Sequence, residues 1–240
     1  MTTVVPPLNP AWPPVEAGLT VWRSVVSLSK TEQKKCQDVH RLHQLVLAGF
    51  RPSGLKDAVH TPPESGILYV ADRHTAKRET TTRRLIAGRP QQLIVQSPRR
   101  PDWQHLLDTG RITEAGSSTV TLTYHVGDTV PLRVIANPTY KDSKTKKRRI
   151  HESAESCGDW FRRHLARHGV DVVPHHVAVG QYERLTGIDS TGNRLHFICR
   201  EIRAIGTVHD PDSFNYALRT GIGRGKAYGC GFLHAHTRTC

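Results

Sequence analysis

The sequence predicts an α+β protein made of two β-α-β-β-α-β units in series. Three observations carry this: short runs of alternating apolar residues, longer runs with apolar residues at helical spacing, and Gly, Pro and Asn/Asp clusters between them. Residues 1–17 hold five prolines and read as an extended tail. The first unit spans 18–127 and opens with LTVWRSVVSL (19–28), a strand. Residues 31–49 then set Cys36, Val39, Leu42, Val46 and Ala48 on one helical face, and Gly49 closes the helix. GILYVAD (66–72) and QQLIVQS (91–97) read as strands, a short helix follows around Trp103–Leu107, and TVTLTYHV (119–126) alternates as the last strand.

The second unit spans 128–240. TVPLRVIANP (129–138) is a strand closed by Pro138, and Trp160, Phe161 and Leu165 mark a helix that Gly169 ends, with Arg162, Arg163 and Arg167 on its other faces. HVAVGQYERL (176–185) and RLHFICREIRAIGTV (194–208) are strands joined by a polar turn. Asp210 as N-cap and Pro211 at the first helical position open a helix that buries Phe214, Ala217 and Leu218 and stops at Gly221. CGFLHAH (230–236) alternates as the final strand. Two such units form a tandem ferredoxin-like architecture, which also underlies RNA-recognition modules but by itself names no function.

Composition narrows the partner. Lys and Arg number 34 against 21 acidic residues in 240, a net charge of +13 and a pI near 9.9, which points to a polyanion such as nucleic acid. No apolar run approaches the roughly 20 residues of a membrane span and no signal peptide is visible, so a cytoplasmic protein is expected. The five cysteines are odd in number and contain no C-x-x-C pair, which suits reduced thiols. His164 and His168 stand at i, i+4, but no H-E-x-x-H accompanies them, so no metal site is expected. His175, His176, His234 and His236 fall at strand ends, where packing, solvation or RNA contact is expected of them.

The segment GIGRGKAYGCG (221–231) holds five glycines, Arg224 and Lys226. It is not a P-loop, because Thr220 stands where the first glycine is needed and Ala227 follows Lys226; nor does G-x-G-x-x-G fit from Gly221 or Gly223. It follows a helix C-terminus, which repels phosphate, so an anion here is held by loop amides with Arg219, Arg224 and Lys226. The alternative is that the glycines let the last strand pack closely. A second cationic feature is KDSKTKKRR (141–149), with Lys141, Lys144, Lys146, Lys147, Arg148 and Arg149 against one acidic residue. Such a block, with the arginines of the following helix, suits the phosphate backbone of an RNA stem.

Taken together, ALRTGIGRGKAYGCGFL, RVIANP before a basic segment, LIVQSPRRPDW and a histidine in the first helix resemble the CasE-type CRISPR repeat endoribonucleases of type I-E Cascade complexes. The resemblance runs in order over roughly residues 19–236. It implies cleavage of CRISPR precursor RNA at the repeat hairpin without metal or cofactor, and retention of that hairpin beside other Cascade subunits. It also implies a catalytic histidine early in the first helix, in a hydrophobic-His-Arg/Gln pattern that Val39-His40-Arg41 matches; His43, one turn later, is the competitor. Several relatives carry tyrosine where this chain has Gln37, whose amide can still bind a phosphate or a ribose 2′-OH. Arg41 suits a flanking phosphate, Lys226 an electrostatic role in catalysis, and Arg184, with Gly221, Gly223, Arg224 and Gly225 of the loop, the RNA. The chemistry is in-line attack of a 2′-OH on the adjacent phosphate, with His40 as base or acid. An RNA-hairpin-binding module without cleavage is the alternative.

Overall fold

The computed structural model describes residues 18–50, 66–73, 85–86 and 88–235; the proline-rich tail expected over 1–17 lies outside them, as does His236. β1 (Leu19–Leu28) is the spine of the first sheet. It pairs antiparallel with β4 (Pro90–Ser97) on one side and β5 (Ile112–Leu122) on the other, and β2 (Leu68–Arg73) pairs antiparallel with β4. The order β2-β4-β1-β5 is 2-3-1-4 in the unit's own numbering, the ferredoxin-like arrangement. The second sheet repeats it with β6 (Thr129–Ala136), β10 (Val177–Ile188), β11 (Arg194–Val208) and β12 (His234–Ala235), in the order β12-β6-β11-β10. β3 (Leu85–Ile86), from the first unit, adds to the free edge of β10 in parallel, pairing with Glu183 and Arg184.

Each sheet packs helices on one face. In the first unit, α2 (Val39–Ala48) buries Leu42, Leu45 and Val46 against Val26, Tyr69, Leu93 and Val95, with α3 (Gln104–Asp108) contributing Leu106. Burial of each such leucine or valine is worth about 1.5–3 kcal/mol. In the second unit, α4 (Ala154–Ala166) buries Trp160, Phe161 and Leu165, and α5 (Pro211–Thr220) buries Phe214, Ala217 and Leu218, as their spacing predicts. Asp210 caps α5 by accepting from the N–H groups of Asp212 and Ser213. The two cores meet, because Leu19, Val21, Leu122 and Tyr124 pack into the second one, and the buried Gln96 of β4 donates to the Leu218 carbonyl of α5 at 2.8 Å. The division expected at 127/128 falls in the turn between β5 and β6.

Three elements differ from expectation. The helix expected over 31–49 is two helices, α1 (Lys30–Lys35) and α2, because Asp38 accepts from the N–H groups of His40 and Arg41 and starts a new helix. The strand expected over 119–126 covers 112–122 instead. Its polar run TEAGSS, outside the expected bounds, pairs with β1 in a ladder from Leu28↔Ile112 to Leu19↔Leu122, with its residues exposed or half-buried. The final strand shrinks to β12, since Gly229 and Gly231 take φ of +80° and +78° and the Gly231 N–H bonds Ile135 O across the sheet.

Candidate functional site

The start of α2 lies where the two units meet. Val39 is fully buried in a small cluster with Leu185 and Cys199 of the second sheet and Cys230 of the glycine-rich segment. His40 is therefore delivered by the first unit to a surface built by the second. Its ring is half-buried: the Gln44 side-chain nitrogen lies 3.0 Å from Nε2, and among the described residues Nδ1 is buried without a hydrogen-bond partner. The Gln44 amide nitrogen can only donate, so in this pair Nε2 is the acceptor. Gln37 and Arg41 flank this point, both exposed, in the turn before α2 and on its first turn.

His43 has a different setting. It packs on Tyr228 at 5.6 Å between ring centroids and its ring donates to the Ala227 carbonyl, which also accepts from the Tyr69 hydroxyl at 2.9 Å. Burial, and then the neighbouring His40, push its pKa down to about 4. An imidazole depressed from about 6.5 stays neutral at neutral pH, and the stability it confers is complete above about pH 6.5 and lost as pH falls towards 4. We expect urea denaturation to show stability falling by up to about 1.4 kcal/mol per pH unit in that window from this residue. His43→Asn should flatten that component; an unchanged slope would remove His43 as its source.

The glycine-rich segment closes on itself. Ile222 N–H bonds Gly231 O at 2.8 Å, and Tyr228 and Cys230 N–H both bond Gly225 O. Gly221, Gly223, Gly225, Gly229 and Gly231 all have φ between +69° and +80°. A Cβ at Gly231 would meet Ile222 O at 2.2 Å, one at Gly221 would meet Gly231 O at 2.7 Å, and one at Gly223 would meet the Trp160 ring at 2.9 Å. These three contacts supply the close-packing explanation that the sequence left open. They also set the shape of the 3₁₀ turn Lys226–Tyr228, which packs against α2. Arg224 stands exposed, its backbone bridged to Asn137.

Lys226 occupies the other side of that turn. It is half-buried, burial lowers its pKa, and it has no ion pair among the described residues. Its charge is felt by His164 and His168 of the α4 region: burial lowers both pKa values most, with Arg167, Arg163 and Lys226 adding to it at His164 and His164, Lys226 and Arg167 at His168. Thus the structure gathers Gln37, His40, Arg41, His43 and the Ala227–Tyr228 backbone around α2, while Lys226 faces α4. His164 Nδ1 lies 2.9 Å from Trp160 O, a local contact. Arg184, half-buried on β10, is two residues from Thr186, whose backbone bridges Asp38.

The basic block forms a separate projection. β7 (Thr139–Lys141) and β8 (Arg148–Ile150) pair as a hairpin whose tip is organised by Asp142, which accepts from the N–H groups of Lys144 and Thr145. Lys146 sits at φ +55° in that turn. Lys141, Lys144, Lys146, Lys147, Arg148 and Arg149 are all exposed, and Asp142 pairs with Arg149 alone, at 3.4 Å. Beside them Tyr140, 40% exposed, packs on His151. Two site features went unread in the sequence: Tyr228, hidden among the glycines, and Gln44, whose i+4 spacing from His40 was available as a signal.

Comparison with known proteins follows this geometry. A family model described as CRISPR associated protein matches residues 21–235. No curated protein sequence matches the chain. Among solved structures, Thermus thermophilus Cse3 bound to an RNA representing a pre-cleavage complex is 20% identical, with a TM-score of 0.71 over 91% of this chain and 100% of that one. The Cas6e protein of Escherichia coli str. K-12 is 17% identical, with a TM-score of 0.60 over 89% and 98%. A chain of a CRISPR RNA-guided surveillance complex is 19% identical, with a TM-score of 0.55 over 90% and 98%. At these identities the likeness shows the fold.

Proposed function

Because the chain belongs to the CRISPR-associated protein family, we propose that it is an endoribonuclease acting in the cytoplasm on CRISPR precursor RNA. It cuts at the repeat hairpin and keeps the hairpin as part of a Cascade assembly. The observation that carries this reading is His40, half-buried at the start of α2 on the junction of the two units, where the first unit's helix meets the glycine-rich segment of the second. The names of the structures sharing the fold, a CRISPR endoribonuclease bound to RNA and a surveillance complex, support it.

The chemistry follows from the residues. A 2′-OH attacks its own phosphate, giving a 2′,3′-cyclic phosphate and a 5′-OH; the enzyme supplies alignment, proton transfer and positive charge. His40 moves the proton, Gln37 and Arg41 hold the flanking backbone, and the exposed Arg224 offers the RNA a cation from the glycine-rich loop, whose Gly221 is buried with its N–H spent on Ala217 O. Lys226 acts as an unpaired cation on the α4 side of the loop. The basic hairpin and Arg184 grip the stem, with no metal or cofactor in the reaction. The test is incubation of the protein with a repeat-hairpin RNA in EDTA, with the product ends identified by mass. Cyclic phosphate and 5′-OH ends are expected; binding without cleavage would support the RNA-hairpin-binding module instead.

A further inference from the structure

Asp38 does more than a helix cap requires. Its Oδ1 accepts from His40 N at 2.8 Å and Arg41 N at 3.1 Å, which completes the cap. Its Oδ2 accepts from Ile188 N, at the end of β10 in the other unit, at 2.9 Å. The backbones of Asp38 and Thr186 form a parallel bridge beside it. Gly187 makes the approach possible without a special backbone angle: a Cβ there would meet Asp38 Oδ1 at 2.7 Å and Val39 N at 3.1 Å. Capping uses one acceptor oxygen, so the second bond and the missing side chain at 187 serve the junction between units.

We propose that Asp38 is a positioning residue for cleavage, its carboxylate pinning the first turn of α2 to the end of β10 and so fixing His40 relative to the glycine-rich loop. The proposal rests on the endoribonuclease reading above. His40 comes from the first unit, whereas the loop and the basic hairpin come from the second, so in-line alignment depends on the register between them. A displacement of about 1 Å of a reacting group can cost about 10²-fold in rate.

Asp38→Ser separates the two duties, because serine caps a helix well but its single short hydroxyl cannot also reach Ile188 N. Single-turnover cleavage of the repeat hairpin, its Kd by gel shift, the thermal midpoint and the amide exchange of Ile188 are measured for wild type, Asp38→Ser, Asp38→Ala and Gly187→Ala. For Asp38→Ser we expect a near-wild-type midpoint, a Kd within about threefold, Ile188 exchange about tenfold faster or more, and a cleavage rate lower by about 10- to 100-fold. The pH dependence of the rate should keep its shape, since the proton-transfer group is unchanged. Asp38→Ala should add a lower midpoint, and Gly187→Ala should reproduce the rate loss with the carboxylate intact.

A wild-type cleavage rate in Asp38→Ser would reduce Asp38 to a cap and overturn the proposal, as would unchanged Ile188 exchange or a rate loss matched by weaker binding. If the wild-type protein itself fails to cleave, the endoribonuclease reading falls and the positioning role falls with it. The Ile188 exchange then reports the clamp on its own, so the two failures are told apart.

Discussion

His40→Ala is expected to slow hairpin cleavage by about 10²–10⁴-fold or more while leaving hairpin affinity within a few-fold of wild type. A proton-transfer residue contributes mainly in the transition state, and one imidazole adds little to a stem held by many cations. The His40 ring is half-buried at the junction with only Gln44 within hydrogen-bond distance among the described residues, whereas the His43 ring is tied to the Ala227 carbonyl and packed on Tyr228. Cleavage by single turnover and affinity by gel shift, measured on the same variant, separate the two effects. A rate loss falling on His43→Asn instead of His40→Ala would move the proton transfer one turn along α2.

The second large effect is on binding. Lys144, Lys146, Lys147 and Arg148 are exposed on the hairpin and have no carboxylate partner among the described residues, the one acidic side chain there being turned to Arg149. Replacing all four by alanine should weaken hairpin binding by about 10- to 100-fold at physiological salt. Each lost phosphate contact lowers the slope of log K against log[salt] by about 0.7–0.9, so the slope should flatten by about 3. Since these side chains stand in water, the folded protein should keep its thermal midpoint. Titration of labelled hairpin at several salt concentrations checks this, and an unchanged slope would put the RNA groove elsewhere.

Much of the fold is legible in the sequence because each strand and helix carries its own period. LTVWRSVVSL and RLHFICREIRAIGTV alternate on either side of one phase break each and form strands with those bounds. Asp210-Pro211 and Gly221 mark both ends of α5. What the sequence hides is set by tertiary partners. The polar half of β5 becomes a strand only because β1 lies beside it, and the break before α2 exists because Asp38 turns its carboxylate onto the His40 and Arg41 amides. The site divides the same way. His40 and the glycine-rich segment stand out as motifs, but the link from Asp38 to Ile188 spans 150 residues and has no local signature. The glycines looked equally suited to phosphate and to packing; the contacts at Gly221, Gly223 and Gly231 show that packing requires glycine at those three positions.

The proposed chemistry places the nucleophile in the RNA. A repeat hairpin with 2′-deoxyribose at the scissile nucleotide keeps the stem and removes that nucleophile. The wild-type protein should bind it as tightly as the all-ribose hairpin and leave it intact over a time in which the ribose form is fully cut. Cleavage of the deoxy substrate would mean attack by water, and the roles assigned to His40 and its neighbours would be wrong.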